Sequence, residues 1–333
     1  MIWLSCTLKD KRVVMAEKMD IPENMQSSLV PEMLSLDSKI QFNCHKKISC
    51  FNKCCQQADI TLTTYDIIRM KQHFGIESGE FLKTYTVPFE MDAHGTPGIK
   101  MRTDNDGVCI HMTEEGCGIY ENRPSACRYY GMGVMSRRDQ GSTEDYYVYF
   151  RNKEDICKGW EEDHPTTVAE YREDQGLLDY DRYNREWMQL ILKKKSGGYA
   201  IGKPSEMSMQ LFFMASYDLD RFKRFIASPA FAKVYLLEQA EKETILNDDI
   251  ALMEFSYRFL RHVLFGETSI AMEDNAYETR YEERKDIIEM RRKVEVEEHK
   301  KREEERKMEA LRVDDERTDD GHNADACHGD SCK

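Results

Sequence analysis

Phe42-Asn43-Cys44-His45-Lys46-Lys47-Ile48-Ser49-Cys50-Phe51-Asn52-Lys53-Cys54-Cys55 packs four of the chain's eleven cysteines into twelve positions. A second group follows at Cys109, Cys117 and Cys127, with Cys157 soon after. Thiols crowd in this way for disulfides or for metal, and the reading of the fold depends on which. Cys6, Cys327 and Cys332 stand apart near the ends and are read as incidental. The tail pair, with His322 and His328, would have to order a loose segment to trap an ion, and that entropy opposes it. Eight thiols remain: Cys44, Cys50, Cys54, Cys55, Cys109, Cys117, Cys127 and Cys157.

Metal is the better account. Met1-Ile2-Trp3-Leu4-Ser5-Cys6 resembles a lipoprotein cleavage site only faintly, because the basic leader and long apolar stretch are missing. The expected compartment is therefore the reducing cytoplasm, where clustered thiols serve metal or catalysis rather than disulfides. The eight also sit in polar, turn-rich sequence, whereas a buried cysteine acting as a small apolar residue belongs on an apolar face. Cys50-x3-Cys54 has a chelating spacing. Cys54-Cys55 does not: neighbouring side chains point apart, so both reach one centre only across an unusual turn. Eight thiols supply two four-ligand sites, or one site and spares. Thiolate ligation suits a zinc ion and an iron–sulfur cluster alike. Arg123 and Arg128 flank Cys127 and either temper an anionic cluster or pair with a carboxylate such as Glu121. His45 and His111 are read as neighbours of the site, since thiols are plentiful.

Composition sets the outer bounds. The chain has 333 residues, 40% hydrophobic and 33% charged, with net charge −14. That acidity excludes a general phosphate-attracting surface, so no nucleic-acid partner is expected. No apolar run approaches the roughly 18 residues of a membrane span, so no membrane partner is expected either.

Local signals give a coarse order of elements. Thr61 to Gly75 reads as a helix capped by Thr63, with Asp66 in a capping box, Gly75 at its end, and Ile67, Met70 and Phe74 on one face. A short helix follows from Ser78 to Tyr85. Pro88, Gly95, Pro97 and Gly98 predict a hairpin around Ile99-Met101, and Tyr146-Phe150 predicts a strand. From Thr166 to Phe265 the pattern is helical. Met209, Phe212, Phe213, Ser216, Leu219 and Phe222 suit one amphipathic helix. Ile250 to Leu264 suits another, begun by Asp248-Asp249 and ended by Gly266. Tyr277 to Lys307 is nearly all Glu, Lys and Arg, with opposite charges three or four apart, which predicts a solvated helix and a candidate arm for an unknown protein partner. Gly197-x4-Gly202-Lys203 opens like a phosphate loop, but Pro204 stands where Ser or Thr should bind magnesium, and a helix end rather than a strand precedes it. No nucleotide cofactor is expected, and neither a Rossmann glycine motif nor the radical C-x3-C-x2-C spacing is present.

At these residues the chain resembles the YkgJ-type cysteine-cluster family, described as zinc- or iron-chelating. The likeness runs through Phe42-x-Cys44, Cys54-Cys55, Leu62-Thr63-x-x-Asp66-Ile67-x-Arg69 and Cys109-x7-Cys117-Gly118-Ile119-Tyr120-Glu121-x-Arg123-Pro124-x-x-Cys127-Arg128, over residues 40–160. Shorter members show a tighter Cys-x-x-Cys before the double cysteine than Cys44 and Cys50 do here. Flagellin lysine methylases contain a similar cysteine domain, which implies an iron–sulfur centre and a link to protein modification.

The expected fold is α+β and mostly helical. Residues 1–37 form a weakly ordered lead-in and residues 38–160 a cysteine-rich, metal-nucleated domain with short strands and helices. A helical domain follows over 161–266, then a charged helix over 267–318 and a disordered tail over 319–333. The expected function is metal binding through the eight thiols, with an iron–sulfur centre in a redox or protein-modification accessory role. The alternative is a structural zinc module that mediates protein contacts without catalysis. No catalytic residue or substrate is assigned.

Overall fold

A computed structural model describes residues 33–92, 95–138, 145–151, 156–196 and 206–276, with helical positions beyond these as far as Met308. Cys6, Cys327, Cys332, the phosphate-loop-like stretch 197–203, the lead-in before Met33 and the expected tail all lie outside the described residues. In chain order the elements begin with β1 (Met33–Leu34), β2 (Lys39–Gln41), α1 (Thr64–Phe74), α2 (Ser78–Tyr85), β3 (Thr86–Glu90) and β4 (Pro97–Met101). Then come β5 (Met112–Thr113), β6 (Gly116–Cys117), α3 (Ser125–Arg128), β7 (Met132–Arg138), β8 (Asp145–Arg151), β9 (Pro165–Thr167) and α4 (Val168–Asp174). The remainder is α5 (Leu178–Ser196), α6 (Glu206–Ser216), α7 (Leu219–Ala227), α8 (Pro229–Ala232), β10 (Tyr235–Leu236), α9 (Gln239–Asn247), α10 (Asp249–Phe265) and β11 (Ala271–Met272). Long helices among short strands in small sheets make the fold α+β.

The chain divides into two compact units, each built from two separate stretches. One takes Met1–Phe51 and Tyr129–Gln175, and the other takes Asn52–Arg128 and Gly176–Lys333.

In the first unit, β8 lies between β1 and β7 in an antiparallel sheet, with Met33 opposite Phe150 and Met132 opposite Arg151. A second ribbon pairs β2 with β9, Ile40 opposite Thr166. Thr167 ends that ribbon and caps α4 through a capping box with Glu170, which turns the chain where Val168 and Tyr171 become buried. The core centres on Phe42. Its ring meets Trp160 and Tyr171 edge-on at 5.4 and 4.9 Å. Gly131 and Gly159 clear the slot for this ring, because a Cβ on either would stand 2.6 or 2.8 Å from it. The Trp160 indole N–H donates to the Gly131 carbonyl at 2.7 Å and fixes the slot's depth.

In the second unit, α1 forms where its end signals predict. Thr63 caps it, Asp66 completes the box, and Gly75 closes it at φ 65°. Ile67 and Met70 are fully buried. α2 and the β3–β4 hairpin follow as expected, with Pro88 opposite Ile99. Lys71 of α1 is buried, and its ammonium sits 3.1 Å from both Asp220 and Asp249, so it ties α1 to the starts of α7 and α10. Ser78 adds reciprocal bonds: its amide donates to Asp220 at 2.6 Å and its hydroxyl to Asp218 at 2.7 Å. Behind these pairs Phe222, Phe225, Phe231, Tyr235, Phe255 and Phe259 form one aromatic core, with Phe222 and Phe259 at 5.3 Å. A second cluster joins Trp187 of α5 to Phe212, Tyr217 and Tyr257.

One expected helix is two. The face from Met209 to Phe222 breaks between α6 and α7, because Asp218 leaves helical geometry and its carboxylate accepts the Arg221 amide as the cap of α7. Apolar spacing of three and four survives such a break, so periodicity alone did not register it. α10 runs between its expected ends, capped by Asp248 and closed by Gly266. Beyond it, every described residue from Ala276 to Met308 is helical. No helix among the described residues is long and apolar enough to cross a membrane.

Candidate metal centre

The eight thiols fall into two groups, one per unit. None of the eight is joined in a disulfide. The second unit holds Cys54, Cys55, Cys109, Cys117 and Cys127, and the first holds Cys44, Cys50 and Cys157.

The double cysteine lies on a single 3-10 turn, Lys53–Cys55. Left-handed residues bracket it, Asn52 at φ 64° and Gln57 at φ 56°, two of only three positive-φ non-glycine residues among those described. Asn52 is held there by its side-chain amide, which donates to the Thr113 carbonyl at 2.9 Å. The pair thus sits on the kind of unusual turn across which neighbouring cysteines can serve one centre, and each thiol acts strongly on the other's ionisation.

The other three thiols reach this turn from separate segments. The Cys109 amide donates to the Cys55 carbonyl at 2.8 Å, which lays the second cysteine segment against the first. The Met112 amide then donates to the Cys109 carbonyl at 2.9 Å and closes the turn that follows Cys109. The β5–β6 ribbon, with Met112 opposite Cys117, returns the chain, and the Gly118 amide donates to the His111 carbonyl at 2.8 Å. Cys127 sits in α3, whose start is pinned by Asp66. One carboxylate oxygen of Asp66 accepts the Ser125 amide at 2.8 Å, and the other accepts the Ser125 hydroxyl at 3.1 Å and the Thr63 amide at 2.8 Å. A capping residue of α1 thus also positions the Cys127 segment.

Electrostatics show how closely the five are associated. The hydrogen bond from Cys55 draws the Cys54 thiol down to about 7 against the effect of burial, with the Arg123 charge assisting. Cys55 moves up, first because it gives that bond, then through burial and the charges of Cys54, Cys109 and Cys117. Burial pushes Cys109, Cys117 and Cys127 up, and each also feels the charge of other thiolates in the set. Mutual repulsion of this kind is relieved by a cation at the centre. Arg123 is the nearest fixed positive charge. Its guanidinium lies 3.8 Å over the Tyr120 ring, donates to the Tyr120 carbonyl, and favours the thiolates of Cys54 and Cys117. Arg128 turns away from the thiols, donating to the Glu121 and Arg123 carbonyls and stacking on Tyr180 at 4.4 Å.

His111 is buried beside the stacked rings of Phe74 and Tyr85, and its Nε2 has no hydrogen-bond partner among the described residues. Burial, with the His73 charge, lowers its pKa and keeps it neutral.

In the first unit the segments that carry the three thiols meet at the Lys158–Gly159 turn. The Lys158 amide donates to the Cys50 sulfur at 3.2 Å, and Cys157 precedes it directly. The Asn43 amide, beside the exposed Cys44, donates to the Gly159 carbonyl at 3.0 Å. His45 bonds Glu162 through Nε2 at 3.0 Å.

Among the described residues no group of three or more His, Cys, Asp or Glu side chains stands closed around an ion position. The thiols converge without closing. Their chemistry still fits a soft-ligand metal, since all five donors of the second unit are sulfur. The sequence did not announce the two anchors of this arrangement, the second role of Asp66 and the left-handed Asn52 and Gln57. Asp66 carried a signal, as a carboxylate beside the apolar Ile67, Ile68 and Met70.

Residues 43–179 match a family described as "Putative zinc- or iron-chelating domain" and named for the motif CxxCxxCC. The match spans all eight thiols. No curated protein and no solved structure matches the chain.

Proposed function

Since residues 43–179 carry the domain of that zinc- or iron-chelating family, we propose that Cys54, Cys109, Cys117 and Cys127 hold an iron–sulfur cluster. The reading is supported by four thiols from separate segments lying near enough for their charges to act on one another, with Arg123 favouring the thiolates of Cys54 and Cys117. A cation of this kind stabilises an anionic thiolate cluster and helps set its potential. The bound cluster would supply one-electron transfer.

This chain's own residues have defined tasks in that scheme. Cys55 donates to the Cys54 sulfur and holds its thiolate form. Asp66 fixes the Ser125–Arg128 turn that presents Cys127. Phe74, Tyr85 and His111 wall off the neighbouring space from water. Ligation draws the thiols inward, so metal binding and the folding of residues 52–128 are coupled. Cys44, Cys50 and Cys157 form a separate ligand group within the first unit. A reducing, cytoplasmic setting keeps all eight as thiols. The role is that of a redox protein or of an accessory to a protein-modifying enzyme, with the substrate met by a partner protein.

Oxygen-free purification tests the reading. It predicts a coloured protein containing iron and acid-labile sulfide, with visible absorption that bleaches on reduction. A colourless protein with stoichiometric zinc overturns the redox role and makes the centre structural.

A further inference from the structure

Among the described residues, the helical positions beyond α10 include one line of exposed side chains. Met290, Val294, Glu297, Lys301, Glu304 and Met308 are all helical and exposed, and they are spaced alternately by four and three residues. That spacing puts them on one seam of a helix, the a and d positions of a heptad repeat. The apolar members are well exposed, Met290 at 61%, Val294 at 49% and Met308 at 59%. An isolated helix of mixed charge is marginal in water and gains most from covering such a seam.

The order of residues along the seam selects the cover. We propose that it is the same seam of a second copy of this chain, running antiparallel. In antiparallel alignment centred between Glu297 and Lys301, Glu297 of each copy faces Lys301 of the other. Met290 then faces Met308 at both ends, and Val294 faces Glu304 between them. Glu297 and Lys301 each meet their opposite, and no like charges face each other. A parallel pair would instead set Glu297, Lys301 and Glu304 each against its own copy, three like-charged layers in succession, which is strongly disfavoured. Lys300 lies beside the central layers in both copies, and its repulsion keeps the association weak and reversible. The seam thus encodes partner and direction together, through charge at its middle and apolar residues at its ends.

Sedimentation equilibrium of the full chain under reducing conditions tests this, up to about 1 mM. The wild type should show a reversible dimer. Lys301→Glu alone and Glu297→Lys alone should each be monomeric with unchanged far-ultraviolet circular dichroism. An equimolar mixture of these two variants should dimerise again, and so should the double variant carrying both changes. A wild type monomeric throughout overturns the proposal. So does a Lys301→Glu variant that dimerises as the wild type does. A double variant that stays monomeric while the wild type dimerises overturns the antiparallel direction on which the proposal rests.

Discussion

Replacing Asp66 by alanine should disturb fold and metal centre together, and the size of the effect follows from its contacts. The carboxylate is fully buried and accepts three hydrogen bonds, from the Thr63 amide, the Ser125 amide and the Ser125 hydroxyl. The hydroxyl can turn to another acceptor, but the two amides cannot. Each orphaned buried amide costs about 1–3 kcal/mol, which sets a gross loss of about 2–6 kcal/mol. Burial opposes the charged carboxylate and pushes its pKa up, with the Thr63 and Ser125 bonds opposing that rise. Removing the charge therefore returns part of the loss, leaving about 2–4 kcal/mol net. Urea unfolding followed by circular dichroism measures this, with metal content assayed on the same samples. Thr63→Ala is the control, because the Thr63 hydroxyl serves only the Asp66 amide end of the capping box and its loss costs about 1 kcal/mol. Asp66→Ala should lose metal while Thr63→Ala keeps it, since only Asp66 holds the Ser125–Arg128 turn. A loss under about 1 kcal/mol for Asp66→Ala, or full metal content in it, would refute the claim that this carboxylate positions Cys127.

Cys127→Ser should lose metal and solubility together, whereas Cys332→Ser should change neither; full metal in Cys127→Ser removes that residue from the ligand set. Phe222→Ala, in the centre of the aromatic core, should cost about 3–5 kcal/mol in urea unfolding. Asp220 supplies an acid signature. Burial alone would raise its pKa, but the Ser78 amide and the Lys71 ammonium outweigh burial and hold it below 3.8. Its contribution to stability is thus present above the ordinary carboxylate range and drains away as pH falls through the depressed value. Wild-type stability should drop more steeply than that of Asp220→Asn as pH falls below 3.8; parallel pH profiles would contradict the pairing.

Features written in short sequence windows were legible. The ends of α1 at Thr63 and Gly75 and of α10 at Asp248 and Gly266 depend on caps a few residues long, and they stand where those residues predicted. The hairpin around Ile99 followed from its prolines and glycines. Features that depend on distant residues were not legible. No local pattern says that Cys54 and Cys157 belong to different compact units, because each unit is assembled from two separate stretches. The turn at Cys54–Cys55 rests on left-handed Asn52 and Gln57; asparagine tolerates that conformation in many settings, so it does not announce this turn, and glutamine carries no such signal at all. The break between α6 and α7 hid behind apolar spacing that a capped interruption leaves intact.

The most direct test of the account is the metal-to-protein ratio of folded chain prepared without exposure to oxygen. The account predicts at least one metal centre per chain, and stripping it should unfold residues 52–128. Freshly isolated protein that carries no metal and is nonetheless fully folded would contradict the account at its base.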